Sequence, residues 1–131
     1  MPPLLVTAAI ITHKGKILLT QRPHGKNHGG QWEFPGGKLE ENESPVEGLK
    51  RELREEIGLE VSNCRIHEVV YHNYQWGPVL VMFYLCESRT NHIEHYQVLD
   101  HAWLYPQQLL DYDILPADKE MVTALAAQPQ L

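Results

Sequence analysis

Nothing in these 131 residues approaches the roughly 18 consecutive apolar residues that span a bilayer, so no membrane partner is expected. Cysteine is scarce: Cys64 and Cys86 are the only two, without the paired spacing of a structural zinc site. A disulfide framework is therefore not indicated, and two isolated thiols suit a reducing cytoplasm. Basic residues are also few. Eleven Lys and Arg against 17 Asp and Glu leave a formal charge of −6, which argues against duplex nucleic acid as a partner, since that requires a basic face. The opening MPPLLVTAAIITHKGK lacks a basic n-region and a small-residue cleavage site, and it reads as a strand, not a signal peptide. Repeats, low-complexity tracts and linkers are missing as well. A single domain over residues 1–131 is the expectation.

What is abundant is negative charge in one place. Residues 40–60 hold eight acids and three bases, a local −5 that accounts for nearly the whole excess. Around this stretch, residues 4–12 and 16–21 read as strands joined by the HKGK turn. RPHGKNHGGQ reads as a polar loop, and WEF as a short strand stopped by Pro35 and a Gly36–Gly37 turn. Residues 65–74 and 78–87 form a second expected hairpin around QWG, and 102–104 a short strand. Helices are expected over 106–110 and 117–127, the latter with Met121, Val122 and Leu125 inward. Strands and helices in this order predict an α+β fold, a mixed β-sheet covered by helices.

The clearest helix runs over 45–57. Ser44 is placed to cap it, Pro45 suits its first position, and Glu47 completes a capping box. Gly58 is placed to end it in a left-handed conformation. Val46, Leu49, Leu53 and Ile57 fall within about 60° of one another, forming the stripe to be buried. Glu52, Glu55 and Glu56 fall within about 100° on a flanking face, where like charges at i, i+3 and i+4 repel. The bare pattern leaves two readings: a solvated acidic face, or a cradle for a hard cation that takes carboxylate oxygens. Gly48 lies one turn before Glu52, where a helix-interior glycine costs about 1 kcal/mol relative to alanine. A bare backbone there predicts a close approach, with the Gly36–Gly37 turn as the expected neighbour.

Gly37, five residues, Glu43, seven residues, then Arg51-Glu52-Leu53-Arg54-Glu55-Glu56-Ile57-Gly58-Leu59 resembles a complete Nudix box over residues 37–59. From average residue usage, so many fixed types at fixed spacing arise by chance at odds on the order of 10⁻⁷. QRPHGKNHGGQWEFPGGK before the box and PAD opening the last helix resemble the MutT-type branch. The resemblance implies an α/β/α sandwich and hydrolysis of a nucleoside diphosphate linked to another group. It implies Mg²⁺ (or Mn²⁺) held by Glu52, Glu55, Glu56 and the Gly36 carbonyl, with Glu52 leading as the group that orients or deprotonates water. Glu43 and Arg51 would form a supporting ion pair, with Gly37 in the turn.

The resemblance also implies Arg22 near substrate phosphate and Phe34 beside the base, against plain alternatives of a solvated cation and a core aromatic, while Lys38, which follows the glycine turn, either reaches a phosphate or is an ordinary exposed lysine. A further carboxylate before the Trp103 strand falls on Glu94 if a gap is allowed, while strict counting gives Gln97. Trp76 sits at a hairpin tip, either stacking on a base or without a role. Asp118 stands where the best-known MutT-type members have asparagine. An ionised aspartate accepts only, which suits guanine N1–H and amino or cytosine amino, and senses nothing at C8; a helix N-cap is its other reading. His24, His28 and Lys26 read as solvated loop residues. His13, His67, His72, His92, His95 and His101 show no metal-ligand spacing and are assigned nothing.

The expectation is a cytoplasmic, metal-dependent pyrophosphohydrolase of small-molecule (deoxy)nucleoside triphosphates, a monomer or homodimer. The acidic balance counts against the alternative of RNA 5′-end processing, and the complete set of box glutamates against a non-catalytic binding module.

Overall fold

Apolar residues on both phases of a two-residue period dictate the layout of the first strands. In β1 (Leu4–His13) and β2 (Lys16–Gln21), successive buried side chains point to opposite faces of one sheet, so both faces need a cover. The computed structural model describes residues 2–128 and shows that cover on each side. Ala9, Ile11 and Leu18 pack with Leu49, Leu53 and Ile57 of α1 (Pro45–Ile57). Ala8, Ile10, Ile17 and Leu19 pack on the other face with Phe34, Phe83 and Met121, Val122 and Leu125. The expected α/β/α sandwich follows from this division.

Between β2 and α1 lie β3 (Trp32–Glu33) and β4 (Gly36–Lys38); β5 (Ser62–Tyr74), β6 (Gly77–Glu87), β7 (Asp100–Leu104) and α2 (Lys119–Ala126) complete the regular elements. The sheet is mixed, in the order β3-β2-β1-β6-β5. β1 runs parallel to β6, while the β5–β6 hairpin is antiparallel. β1 and β2 pair only beside their turn, then part. β1 goes on to pair with β4, and β2 with β7 and β3. That parting places β4, β3 and the acidic face of α1 near one another. Among the described residues, no helix is long and apolar enough to cross a membrane.

Four expectations need correction. Residues 36–37 are not a turn; they belong to β4, where Gly36 at φ 155° lies so close to β1 that a Cβ would fall 2.1 Å from the Thr7 carbonyl oxygen. Residues 106–111 form a 3₁₀ segment, Pro106–Asp111, and the last helix is preceded by a 3₁₀ turn, Pro116–Asp118. The expected end of that helix, Ala127, is the residue just beyond it. Val46 is only half-buried, because the packed stripe starts one turn later with Leu49.

The ends of α1 are as the sequence predicts. Ser44 Oγ accepts from Glu47 N–H at 3.3 Å, and Glu47 Oε1 accepts from Ser44 N–H at 3.2 Å. Gly58 takes φ 64°, ψ 29°, and its N–H donates to the Arg54 carbonyl at 3.1 Å. Leu53 has no exposed surface. Replacement by alanine, Leu53→Ala, is expected to cost about 2–5 kcal/mol in urea unfolding through lost burial and a residual cavity. A cost under about 1 kcal/mol would mean that the α1 face is not closely packed.

Candidate active site

Arg51 organises the acidic face. Its Nη2 and Nε donate to the two oxygens of Glu43 at 2.7 and 3.0 Å, a fork on a carboxylate. Nη1 donates to Glu52 at 3.0 Å and Glu55 at 3.1 Å, and Nη2 also to the Lys38 carbonyl at 3.1 Å. One guanidinium therefore ties the loop before the helix, the end of β4 and two helix carboxylates together. Glu43 also accepts from Glu40 N–H at 2.8 Å, and with Arg51 this holds its carboxyl down at about 2. The carboxylates in turn push the Arg51 guanidinium further towards its charged form.

Gly48 does admit a close approach, but not from Gly36–Gly37. A Cβ there would meet Leu39 Cδ2 at 2.5 Å and Glu43 Oε1 at 2.8 Å, so this glycine makes room for the loop that Arg51 binds. Gly37 has a different neighbour. A Cβ on it would lie 2.6 Å from the Glu52 carboxyl carbon, so the bare backbone of β4 is what lets the Glu52 carboxylate lie against the sheet.

Glu56 is the companion of Glu52. Burial first, then the charges of Glu52 and Glu33 and a hydrogen bond with Glu52, push its carboxyl up to about 9, with Lys26 opposing. Two carboxyls in hydrogen-bond contact cannot both ionise without a cation, so the pair retains a proton near neutral pH. Carboxylate oxygens packed together, whose repulsion a cation would relieve, are the donor type that a hard divalent cation takes. Glu55 extends the set along the helix, although its carboxylate is turned onto Arg51.

Beyond Glu56 the negative field continues into the sheet. Glu33 on β3 is held chiefly by burial above the usual carboxylate range, and Arg22 opposes this through an ion pair at 3.1 Å. Arg22 Nε donates to the Asn27 carbonyl at 2.9 Å, so its guanidinium serves β3 and the loop. Asp118 is 3% exposed, and its Oδ2 accepts from Phe34 N–H at 3.0 Å. Burial and then Glu33 push Asp118 up to about 8. Two expectations change. Asp118 makes no side-chain cap to α2, and it keeps its proton at neutral pH, so its carboxyl donates as well as accepts. Phe34 does not line an open pocket, because its ring is buried edge-on to Phe83 with centroids 5.9 Å apart.

Lys38 is exposed and joins the network through its carbonyl. Glu94 is not brought to the Glu52–Glu56 pair: it packs beside Gly58, and its Oε1 lies 2.6 Å from His92 Nε2. The position given by strict counting, Gln97, donates its main-chain N–H to the Glu56 carbonyl at 3.1 Å. Trp76 stacks on Tyr74 at 5.3 Å with planes 7° apart. Two residues escaped the sequence. Glu33 couples the helix acids to Asp118, and its signal was a glutamate between Trp32 and Phe34 in a strand. Tyr74 Oη accepts from Ala117 N–H at 3.1 Å, next to Asp118, and its ring contacts those of His28 and Trp76. Its signal was weak, one aromatic at the end of an alternating strand. Two shallow concavities, one by His13 and Arg89 and one by Arg65 and Glu87, lie elsewhere, and no residue of α1 lines either.

The buried proton of Asp118 has a stability consequence. As pH rises from about 4 to about 8, an unfolded chain ionises this group while the folded one retains the proton, so folding loses stability across that window. An Asp118→Asn variant lacks this loss. Its melting temperature, relative to the parent, is expected to climb between those pH values and level off above them. A pH-independent difference would mean that Asp118 is ionised in the fold.

The NUDIX domain model matches residues 1–125. The chain is 35% identical over 129 residues to the CTP pyrophosphohydrolase of Escherichia coli (strain K12), covering 97% of this chain and 94% of that protein. It is 40% identical over 91 residues to the 8-oxo-dGTP diphosphatase of Proteus vulgaris, covering 69% of this chain and 81% of the relative. The solution structure of the E. coli ORF135 protein superposes with a TM-score of 0.73 at 34% identity, covering 98% of this chain and 95% of that one. The MutT NUDIX hydrolase from Burkholderia pseudomallei shares the fold, with a TM-score of 0.78 at 23% identity over 95% of this chain and 97% of that one. With the box over residues 37–59, the Arg51-centred acidic helix and the sandwich fold all in agreement, this chain belongs to the NUDIX domain family.

Proposed function

We propose that this protein hydrolyses a nucleoside triphosphate, ribo or deoxy, to the monophosphate and pyrophosphate. The observation that carries the reading is the Glu52 carboxyl lying against the bare backbone of Gly37, with the Glu56 carboxyl beside it. Glu52, Glu55, Glu56 and the Gly36 carbonyl are the groups to hold Mg²⁺ (or Mn²⁺). A bound cation supplies neutralisation of phosphate charge and lowers the pKa of water.

The chain's own residues divide the remaining work. Glu52 orients the attacking water and accepts its proton, since displacement at phosphorus depends more on positioning and charge than on a covalent nucleophile. Arg51 and Glu43 hold that carboxylate in place. Arg22, Lys26 and Lys38 provide positive charge for the phosphate chain. On the base side, Tyr74 offers a face, and protonated Asp118 offers a donor and an acceptor together. This pairing complements an edge that carries both, such as the cytosine amino group with its ring nitrogen. The resemblance to a CTP pyrophosphohydrolase over nearly the whole chain supports cytosine triphosphates as the first substrates to test, with 8-oxo-dGTP beside them. The same reading places the protein in the cytoplasm, acting on free nucleotides.

Pyrophosphate release is to be followed across CTP, dCTP, GTP, dGTP, 8-oxo-dGTP, ADP-ribose and triphosphorylated RNA, with Mg²⁺ and with chelator. The expected result is chelator-sensitive pyrophosphate from a free triphosphate. Turnover confined to RNA ends or to ADP-ribose would overturn the substrate class, and binding without turnover would overturn the enzyme. Glu52→Gln should lower kcat by about 10²–10⁴-fold at unchanged circular dichroism. Near-normal kcat would remove Glu52 from the proton-accepting role.

A further inference from the structure

The loop between β6 and β7 gathers nitrogen and oxygen ligands that the nucleotide chemistry does not use. His95 Nε2 and His101 Nδ1 lie 2.7 Å apart, and a carboxylate oxygen of Asp100 lies within 4.8 Å of a ring nitrogen of each histidine. Asp100 Oδ1 accepts from the His101 main-chain N–H at 2.8 Å, which fixes the carboxylate at the start of β7. Asp100 and His101 are themselves held in register by Gln21 and Thr20 of β2. Two of the three ligands thus stand on the sheet and the third on the loop. The interval from 95 to 100 hid the arrangement in the sequence, because the loop must fold back to bring His95 to His101.

We propose that His95, Asp100 and His101 bind a borderline divalent transition metal of the Zn²⁺, Co²⁺ or Ni²⁺ class, at a site separate from the carboxylates of α1. Two imidazoles and a carboxylate are a three-ligand set that leaves a fourth position open to water. Imidazole nitrogen favours this class of ion, whereas Mg²⁺ favours oxygen, so the two sites discriminate by ligand chemistry. Two Zn–N bonds of about 2.0–2.1 Å at a tetrahedral angle separate the nitrogens by roughly 3.4 Å. The rings must therefore part by less than 1 Å, a small rotation for the exposed side chain of His95. The metal takes the place of the proton that otherwise lies between the two rings. The plain alternative is a histidine pair that shares this proton and binds nothing else.

Occupation would tie the loop to the sheet beside the end of α1, where Tyr96 and Gln97 N–H both donate to the Glu56 carbonyl at 3.1 Å. Metal that binds only the folded protein raises its melting temperature by mass action.

The test uses untagged full-length protein in excess Mg²⁺, titrated with Co²⁺ by visible absorption and with Zn²⁺ by calorimetry. One equivalent is expected to bind, with a rise in melting temperature. Loss of an outer-sphere partner costs about 10–100-fold in metal affinity, so His95→Gln and the double variant with His101→Gln should weaken binding by at least tenfold. Glu56→Gln and the surface control His67→Gln should bind as the parent does. Unchanged affinity in His95→Gln would overturn the site, and loss in Glu56→Gln would reassign the metal to the α1 carboxylates. No binding beyond Mg²⁺ would leave the proton-sharing pair. His95 is an exposed loop residue, so its single variant carries the test even if the double variant folds poorly. None of these readouts depends on nucleotide hydrolysis.

Discussion

A helix that places three carboxylates within one turn must answer for their repulsion, and here the answer begins with a single guanidinium. Arg51 reaches Glu43, Glu52 and Glu55 and the carbonyl of Lys38 at hydrogen-bond distances between 2.7 and 3.1 Å. Its planar fork of five donors suits this arrangement, which a lysine's point charge would not reproduce. Because its partners lie on the loop, on β4 and on the helix, the same contact that relieves the charge also sets where the helix stands. The glycines follow from that placement. Gly48 clears space for the loop, and Gly37 lets the Glu52 carboxylate rest on the strand.

Past Arg51 the charge is managed by other means. Burial and the neighbouring Glu52 favour a proton on Glu56, Glu33 leans on Arg22, and Asp118, pushed up to about 8, accepts from the Phe34 main chain. Burial is the largest cause for Glu33, Glu56 and Asp118 alike, and each also feels a neighbouring carboxyl. Retained protons and an ion pair lower the cost of placing these carboxyls inside the protein, because burying an unpaired charge is costly. The chain of acids runs from the helix face across β3 to the start of α2.

The two groups of ligands differ in what holds them. The carboxylates of α1 are spaced by the helix itself and braced by Arg51. The histidines near β7 meet because a loop returns to a strand. Carboxylate oxygens favour hard cations, whereas imidazole nitrogens favour borderline ones.

Local chemistry was legible from the sequence because it acts over one helical turn. The capping box, the Gly58 stop, the Leu49–Leu53–Ile57 stripe and the Glu52, Glu55 and Glu56 face all follow from the 3.6-residue period. The order of strands and helices likewise predicted a mixed sheet covered by helices. What the period does not carry is distance between segments remote in the chain. It could not tell that Gly36–Gly37 is a strand held against β1, that Phe34 turns inward, or that Glu94 serves His92. Nor could it show Glu33 between Glu56 and Asp118, or His95 beside His101. Those relations arise only when β1 and β2 part and the loops close over them, and burial then resets the protonation of Asp118. The sequence by itself determined which residues could bear the chemistry, since spacing along a helix or strand is a local property. Which of them meet, and in what charge state, was decided by the tertiary structure, because contact and desolvation are properties of the packed whole.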